Sequence, residues 1–171
     1  MRNAALYYLQ RYASSAANLR EVLTRRVRRA ERVQEIDTDT ASGWIDTIVS
    51  SFESSGLIDD RTYADARIQS MFRQGRSRRM MMLELRHKGV APEIVDAALE
   101  SLSLENAAPD RKAAIRYAQR RRLGPFRLKL REEYRVRDLA AMARAGFDYE
   151  TARRVIDADS PESLEEDPLQ D

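Results

Sequence analysis

A chain of 171 residues is long enough for one ordinary globular domain or a row of small helical modules, and its six Gly and five Pro among many Ala, Leu, Arg and Glu favour helix over sheet. With no Cys and a single His it lacks the parts for a disulfide framework, thiol chemistry, a His-based zinc site or a Ser-His-Asp triad, and no run approaches the roughly 18 to 20 apolar residues of a membrane span. The net charge of +2 comes from 30 basic residues, 27 of them Arg, against 28 acidic ones, and arginine's planar fork suits phosphate or carboxylate better than lysine's point charge.

Ala5, Leu6, Leu9 and Ala13 set a first helical stripe, and Ser14-Ser15 interrupts it where a second helix can be capped. That second helix has Leu19, Val22, Leu23 and Val27 as its apolar face and ends in the run Arg25-Arg26-Val27-Arg28-Arg29-Ala30-Glu31-Arg32. Basic side chains around most of a helix repel one another by roughly 0.2 to 0.5 kcal/mol per close pair. The run therefore fits either contact with an anionic partner or a solvated helix end favoured by the C-terminal dipole. Asp37-Thr38-Asp39-Thr40 is expected to be a polar loop with caps, ahead of a third helix on Ile45, Ile48, Val49 and Phe52 that stops at Gly56. Trp44 is expected to pack into the core, with stacking on a base as its other reading.

The middle of the chain carries its punctuation intact. Asp59 and Asp60 can cap the next helix, in which Tyr63, Ala64, Ile68, Met71 and Phe72 form the buried stripe and Gly75 the stop. Ser77 is an N-cap for a helix carrying Met81, Met82 and Leu85, closed by Gly89 after Arg86 and Lys88. Pro92 opens a third helix whose apolar face is Ile94, Val95, Ala98, Leu99 and Leu102. His87, alone near a helix end, reads as a surface or capping residue.

Residues 103–109 are expected to form a short connector, and Asp110 to cap the helix holding Ala114, Tyr117, Ala118 and Arg121, which Leu123-Gly124-Pro125-Phe126 breaks. A basic stretch follows, with Arg127, Lys129, Arg131, Arg135 and Arg137 against Glu132 and Glu133. Leu139, Met142 and Ala143 precede Gly146-Phe147, and Asp148 caps a helix on Ala152, Val155 and Ile156. Leu85, Gly89, Val90, Glu93, Ala98 and Leu99 recur with the same internal spacing as Met142, Gly146, Phe147, Glu150, Val155 and Ile156, which marks an internal repeat. From Asp157 onward there are seven acidic residues and no basic ones, so this tail is expected to be disordered or loosely held, and residues 1–156 carry a net charge of +9.

Gly56-Leu57-Ile58-Asp59-Asp60, Tyr63-Ala64, Gly75-Arg76-Ser77, Arg79, Glu84-Leu85, Lys88-Gly89-Val90, Glu93-Ile94 and Ala98-Leu99 closely resemble the signature of RecX, the bacterial regulator of the RecA recombinase. Arg78 departs from it where proline is common, and Ala91 where a capping Ser, Thr or Asp is usual. The resemblance, looser outside the middle, spans residues 4–157. It implies an all-α fold of three tandem three-helix modules, about nine helices stacked into an elongated curved body. The modules are expected at 1–56, 57–105 and 106–157, with the tail at 158–171.

It further implies a non-catalytic, cytoplasmic, monomeric regulator with no cofactor and no membrane association. Such a protein binds the RecA–DNA filament and modulates, chiefly inhibits, its recombinase, ATPase and coprotease activities in DNA repair and the SOS response. A stand-alone nucleic-acid-binding protein acting through phosphate contacts is the alternative. In either case the candidate contact residues are Arg25, Arg28 and Arg29, then Arg76, Arg78 and Arg79, then Arg121, Arg127 and Arg131.

Overall fold

The computed structural model describes residues 1–31 and 38–166, and every regular element among them is helical. In chain order these are α1 (Arg2–Leu9), α2 (Ala16–Glu31), α3 (Thr38–Ser54), α4 (Asp60–Arg73), α5 (Arg78–His87), α6 (Pro92–Glu105), α7 (Pro109–Arg121), α8 (Arg131–Arg144) and α9 (Tyr149–Ile156). A 3-10 turn, Gly124–Phe126, and a one-turn helix, α10 (Ser163–Glu166), complete the described set. The fold is all-α, as the composition and periodicity predict.

The helices gather into two compact units. One comprises Met1–Asp65 with Leu85–Val95, the other Ala66–Glu84 with Asp96–Asp171. In the first, α2 and α3 pack along their apolar stripes, with Leu19, Leu23, Val27, Ile45, Val49 and Phe52 buried together and Ala5 of α1 closing the cluster. Each Leu, Val or Phe so enclosed contributes about 1.5 to 3 kcal/mol of transfer free energy. In the second, α9 packs on both α7 and α8, and Ala114, Ala118, Met142, Val155 and Ile156 are at most 2% exposed.

The same construction appears in both units, where one helix starts against the end of another. In the first unit, Ser15 Oγ accepts a hydrogen bond from Asn18 N at 3.1 Å, capping α2, and donates to the Lys88 carbonyl at the end of α5. Asp60 Oδ1 accepts from Ala16 N at 2.8 Å, a second cap on α2. Gly89 closes α5 with φ +70°, and a Cβ there would overlap the Cβ of Ala17.

In the second unit, Ser77 Oγ accepts from Met80 N at 3.3 Å and donates to the Ala145 carbonyl at the end of α8, at 2.7 Å. Asp110 Oδ1 accepts from Arg78 N at 2.7 Å. Gly146 has φ +87°, and a Cβ there would lie 2.7 Å from Ser77 Oγ. A serine, an aspartate and a glycine thus recur in the same roles. The repeat visible as Leu85 to Leu99 against Met142 to Ile156 recurs in the backbone too: Val90 N donates to Leu85 O, and Phe147 N to Met142 O.

Several local expectations are corrected. Asp110 does not cap α7, whose N-cap is Ala108 with no side-chain bond; it caps α5. Helix α1 ends at Leu9, and Ala13 is exposed. Thr38 to Thr40 belong to α3 instead of a loop, while Asp37 lies outside the described residues. Trp44 is 57% exposed, because it falls off the Ala41, Ile45, Val49 and Phe52 stripe that α3 turns to the core. Tyr63 and Ile94 are half-buried, and α6 runs on to Glu105, which shortens the connector.

The first part of the tail makes contacts as far as Leu164: that residue is 6% exposed, its carbonyl accepts from Arg111 Nη2 at 3.3 Å, and Asp159 O accepts from Arg131 Nη1 at 3.1 Å. Residues 167–171 lie outside the described part of the chain.

Candidate polyanion-binding surface

In the first unit Arg25, Arg28 and Arg29 are exposed on the last turns of α2. Arg25 reaches Glu21 one turn back at 3.0 Å, an exposed pair of the kind that contributes little to stability. Arg32, the end of that run, lies outside the described residues.

The second unit treats its six sequence candidates differently. Three are already engaged. Arg78 donates to the Leu99 carbonyl at 3.1 Å and to Ser103 Oγ at 3.2 Å, along the last turns of α6. Arg131 donates to the carbonyls of Ile156, Ala158 and Asp159 and so closes the end of α9.

Arg127 forms a two-pronged pair with Asp138, at 3.1 and 2.7 Å. That carboxylate is 1% exposed and also accepts from Gly124 N at 2.9 Å, so the pair fixes the 3-10 turn onto α8. The Arg127 guanidinium lies 4.4 Å from the Tyr134 ring centre, and Arg137 lies 5.6 Å from the same ring. The carbonyl, hydroxyl and carboxylate partners that these three arginines already hold make them structural first. Arg79 is exposed on α5.

Arg76 and Arg121, distant in sequence, line one cleft of about 340 Å³ together with Tyr117. A larger cleft of about 870 Å³ is walled by Arg120, Arg121, Arg122, Lys129, Arg137 and Arg144. Among the described residues none of these six has a carboxylate within ion-pair distance, and the one carboxylate in the wall, Asp138, is taken by Arg127. Arg120 donates to the Gln74 carbonyl at 2.6 Å. Like charges gathered on a concave wall repel unless an anion neutralises them, and a concave wall concentrates their field. Fork-shaped guanidinium donors of this kind suit the oxygens of phosphate and carboxylate groups.

Reading the chain for runs of basic residues finds Arg121 but passes over Arg144. A signal for it exists: Arg137 and Arg144 lie at i and i+7 on one face of α8, with Ala141 between them, a pairing that a search for apolar periodicity discards.

A protein of repeated helical elements with an arginine-lined cleft is the class this geometry defines. The family model for the second three-helix domain of RecX matches residues 59–99. The chain is 41% identical over 160 residues to the regulatory protein RecX of Myxococcus xanthus strain DK1622, covering 92% of this chain and 84% of that one. It is 31% identical over 171 residues to the regulatory protein RecX of Agrobacterium fabrum strain C58, covering 99% and 88%. The crystal structure of RecX from Lactobacillus salivarius superimposes with a TM-score of 0.62 at 19% identity, with 91% of each chain covered. A second RecX crystal structure gives 0.64 at 17% identity, covering 91% of this chain and 70% of that one; both likenesses bear on the fold. The chain belongs to the RecX family of regulatory proteins.

Proposed function

We propose that this protein binds the RecA–DNA nucleoprotein filament and restrains its recombinase, ATPase and coprotease activities, acting in the cytoplasm during DNA repair and the SOS response. The observation that carries the reading is 41% identity along 92% of the chain to a regulatory protein RecX. In this reading the protein supplies contacts and no chemistry of its own. It is a monomer of three modules, residues 1–56, 57–105 and 106–157. Exposed Arg25, Arg28 and Arg29 in one unit and the arginine-lined cleft in the other give separate cationic contacts, and several weak contacts on one chain bind a periodic target with high effective concentration.

The test is the ATPase rate of the cognate recombinase on single-stranded DNA, titrated with this protein at two salt concentrations. A fall in rate at substoichiometric protein that survives the higher salt supports a filament regulator, whose apolar and shape-specific contacts resist screening. No effect until the DNA itself is saturated, vanishing with added salt, refutes it in favour of plain phosphate binding.

A further inference from the structure

We propose that the larger cleft of the second unit is a binding site for the sugar-phosphate backbone of a nucleic-acid single strand, and that it discriminates against duplex. The inference deepens the DNA-contacting part of the reading above and rests on it, while leaving the recombinase contact to other residues.

Three observations carry it. The first is the charge: six cationic side chains face a space of about 870 Å³ without a carboxylate partner among the described residues. The second is shape. Duplex DNA is a stiff convex rod, straight over roughly 50 nm, and cannot follow a concave wall of this size. A single strand bends freely and can lay successive phosphates along it. The Tyr134 ring, flanked by the Arg127 and Arg137 guanidinium groups, and the rim residues Leu128 and Leu130, 92% and 55% exposed, add aromatic, planar and apolar surface of the kind that bases stack on.

The third is backbone strain. Among the described residues three non-glycine residues have positive φ, namely Ala108, Arg122 and Leu130, and the last two line this cleft. Arg122, at φ +54°, ends α7 in the left-handed conformation that Gly56, Gly75, Gly89 and Gly146 adopt at the ends of other helices. A glycine there would be relaxed, whereas arginine holds the strain at a position that lines the cleft. Strained residues that the rest of the structure tolerates cluster at binding sites.

The experiment measures fluorescence anisotropy of a labelled oligothymidylate and of a duplex of equal length with the full-length protein and no recombinase. We expect the strand to bind at least about fivefold tighter than the duplex. Arg122→Gly and Arg144→Ala should each weaken strand binding by about fivefold or more and flatten its salt dependence by about 0.7 per cation removed. Arg122→Gly should do so while raising thermal stability, a combination that a merely structural arginine would not give. Arg154→Ala, on an exposed arginine paired with Glu150, should leave strand affinity within twofold.

Equal affinity for duplex, or unchanged strand binding in both cleft variants, overturns the assignment. So does displacement of the strand by micromolar ATP or tripolyphosphate, which would give the cleft to a free polyphosphate. Because the recombinase is absent, such failures leave the ATPase titration to stand or fall by itself.

Discussion

Two aspartates with similar duties sit in opposite electrostatic circumstances. Asp148 is the N-cap of α9: its carboxylate accepts from Thr151 N and from the Thr151 hydroxyl, both at 2.7 Å, and these bonds hold it below its ordinary value of 3.8. Asp60, which caps α2 through Ala16 N, is pushed above that value, first by burial and against the bond from Ala16. The signs follow directly. The ionised form of Asp148 is favoured by folding, so its contribution is full above about pH 4 and is lost as pH falls through its lowered value. The ionised form of Asp60 is disfavoured by folding, so its cost is present above its raised value and disappears as pH falls through it. In urea titrations Asp148→Ala should therefore cost about 1 kcal/mol at pH 7 and flatten the loss of stability below pH 4. Asp60→Asn keeps the acceptor without the charge and should be neutral or stabilising at pH 7. A clear loss of stability in Asp60→Asn would show that its charge on the helix dipole outweighs its desolvation.

At the scale of the helices, the joints decide what can change. Gly89 and Gly146 both have positive φ and both touch the start of another helix, Gly89 at Ala17 and Gly146 at Ser77. Alanine at either position combines backbone strain with overlap, and should cost about 2 to 4 kcal/mol in chemical denaturation. Gly43 is the contrast: a methyl group there would meet nothing within 4 Å and its φ is not positive, so Gly43→Ala should be neutral or stabilising inside α3.

Helix ends of this kind are legible in the sequence because the rule for stopping a helix is local: a glycine after the last apolar residue, a Ser or Asp before the first. What the sequence hides is which helix a polar side chain serves. Asp110 looks like the cap of the helix it begins, yet its oxygen is held by Arg78 N, 32 residues away. Trp44 misleads because its bulk suggests burial while its position on α3 does not. In the cleft, Arg121 shows in a basic run, but Arg144 needs the helix face on which Arg137 also lies.

For the whole chain, arginine has two occupations that composition cannot separate. Arg78, Arg127 and Arg131 hold helix ends and a turn together, so replacing them should damage folding and binding at once. Arg28 and Arg29 are exposed and hold no described partner, so reversing both charges should leave the melting temperature within about 2 °C. The same change should weaken inhibition of the recombinase ATPase. A double variant that fails to fold would show that these side chains support α2, and a folded variant with full inhibition would remove them from the contact surface.

The joint made twice from serine, aspartate and glycine has a consequence for how such a chain can grow. Residues 57–105 contain Ser77, which is received by the carbonyl before Gly146, and also Asp60, Lys88 and Gly89, which receive Ser15 and Ala16. The middle segment is thus plug and socket at once. A tandem copy of residues 57–105 would bring a compatible partner for the serine and the aspartate at the new joint, with Ser77 of the first copy meeting Lys88 O of the second and Asp60 of the second meeting Arg78 N of the first. Such a lengthened chain should remain folded, with added helical signal in circular dichroism. Replacing the first copy's Ser77 with Ala should lower its stability about as much as the same change does in the parent. Length in this architecture is an editable quantity, set by how many times one gene segment is copied in frame.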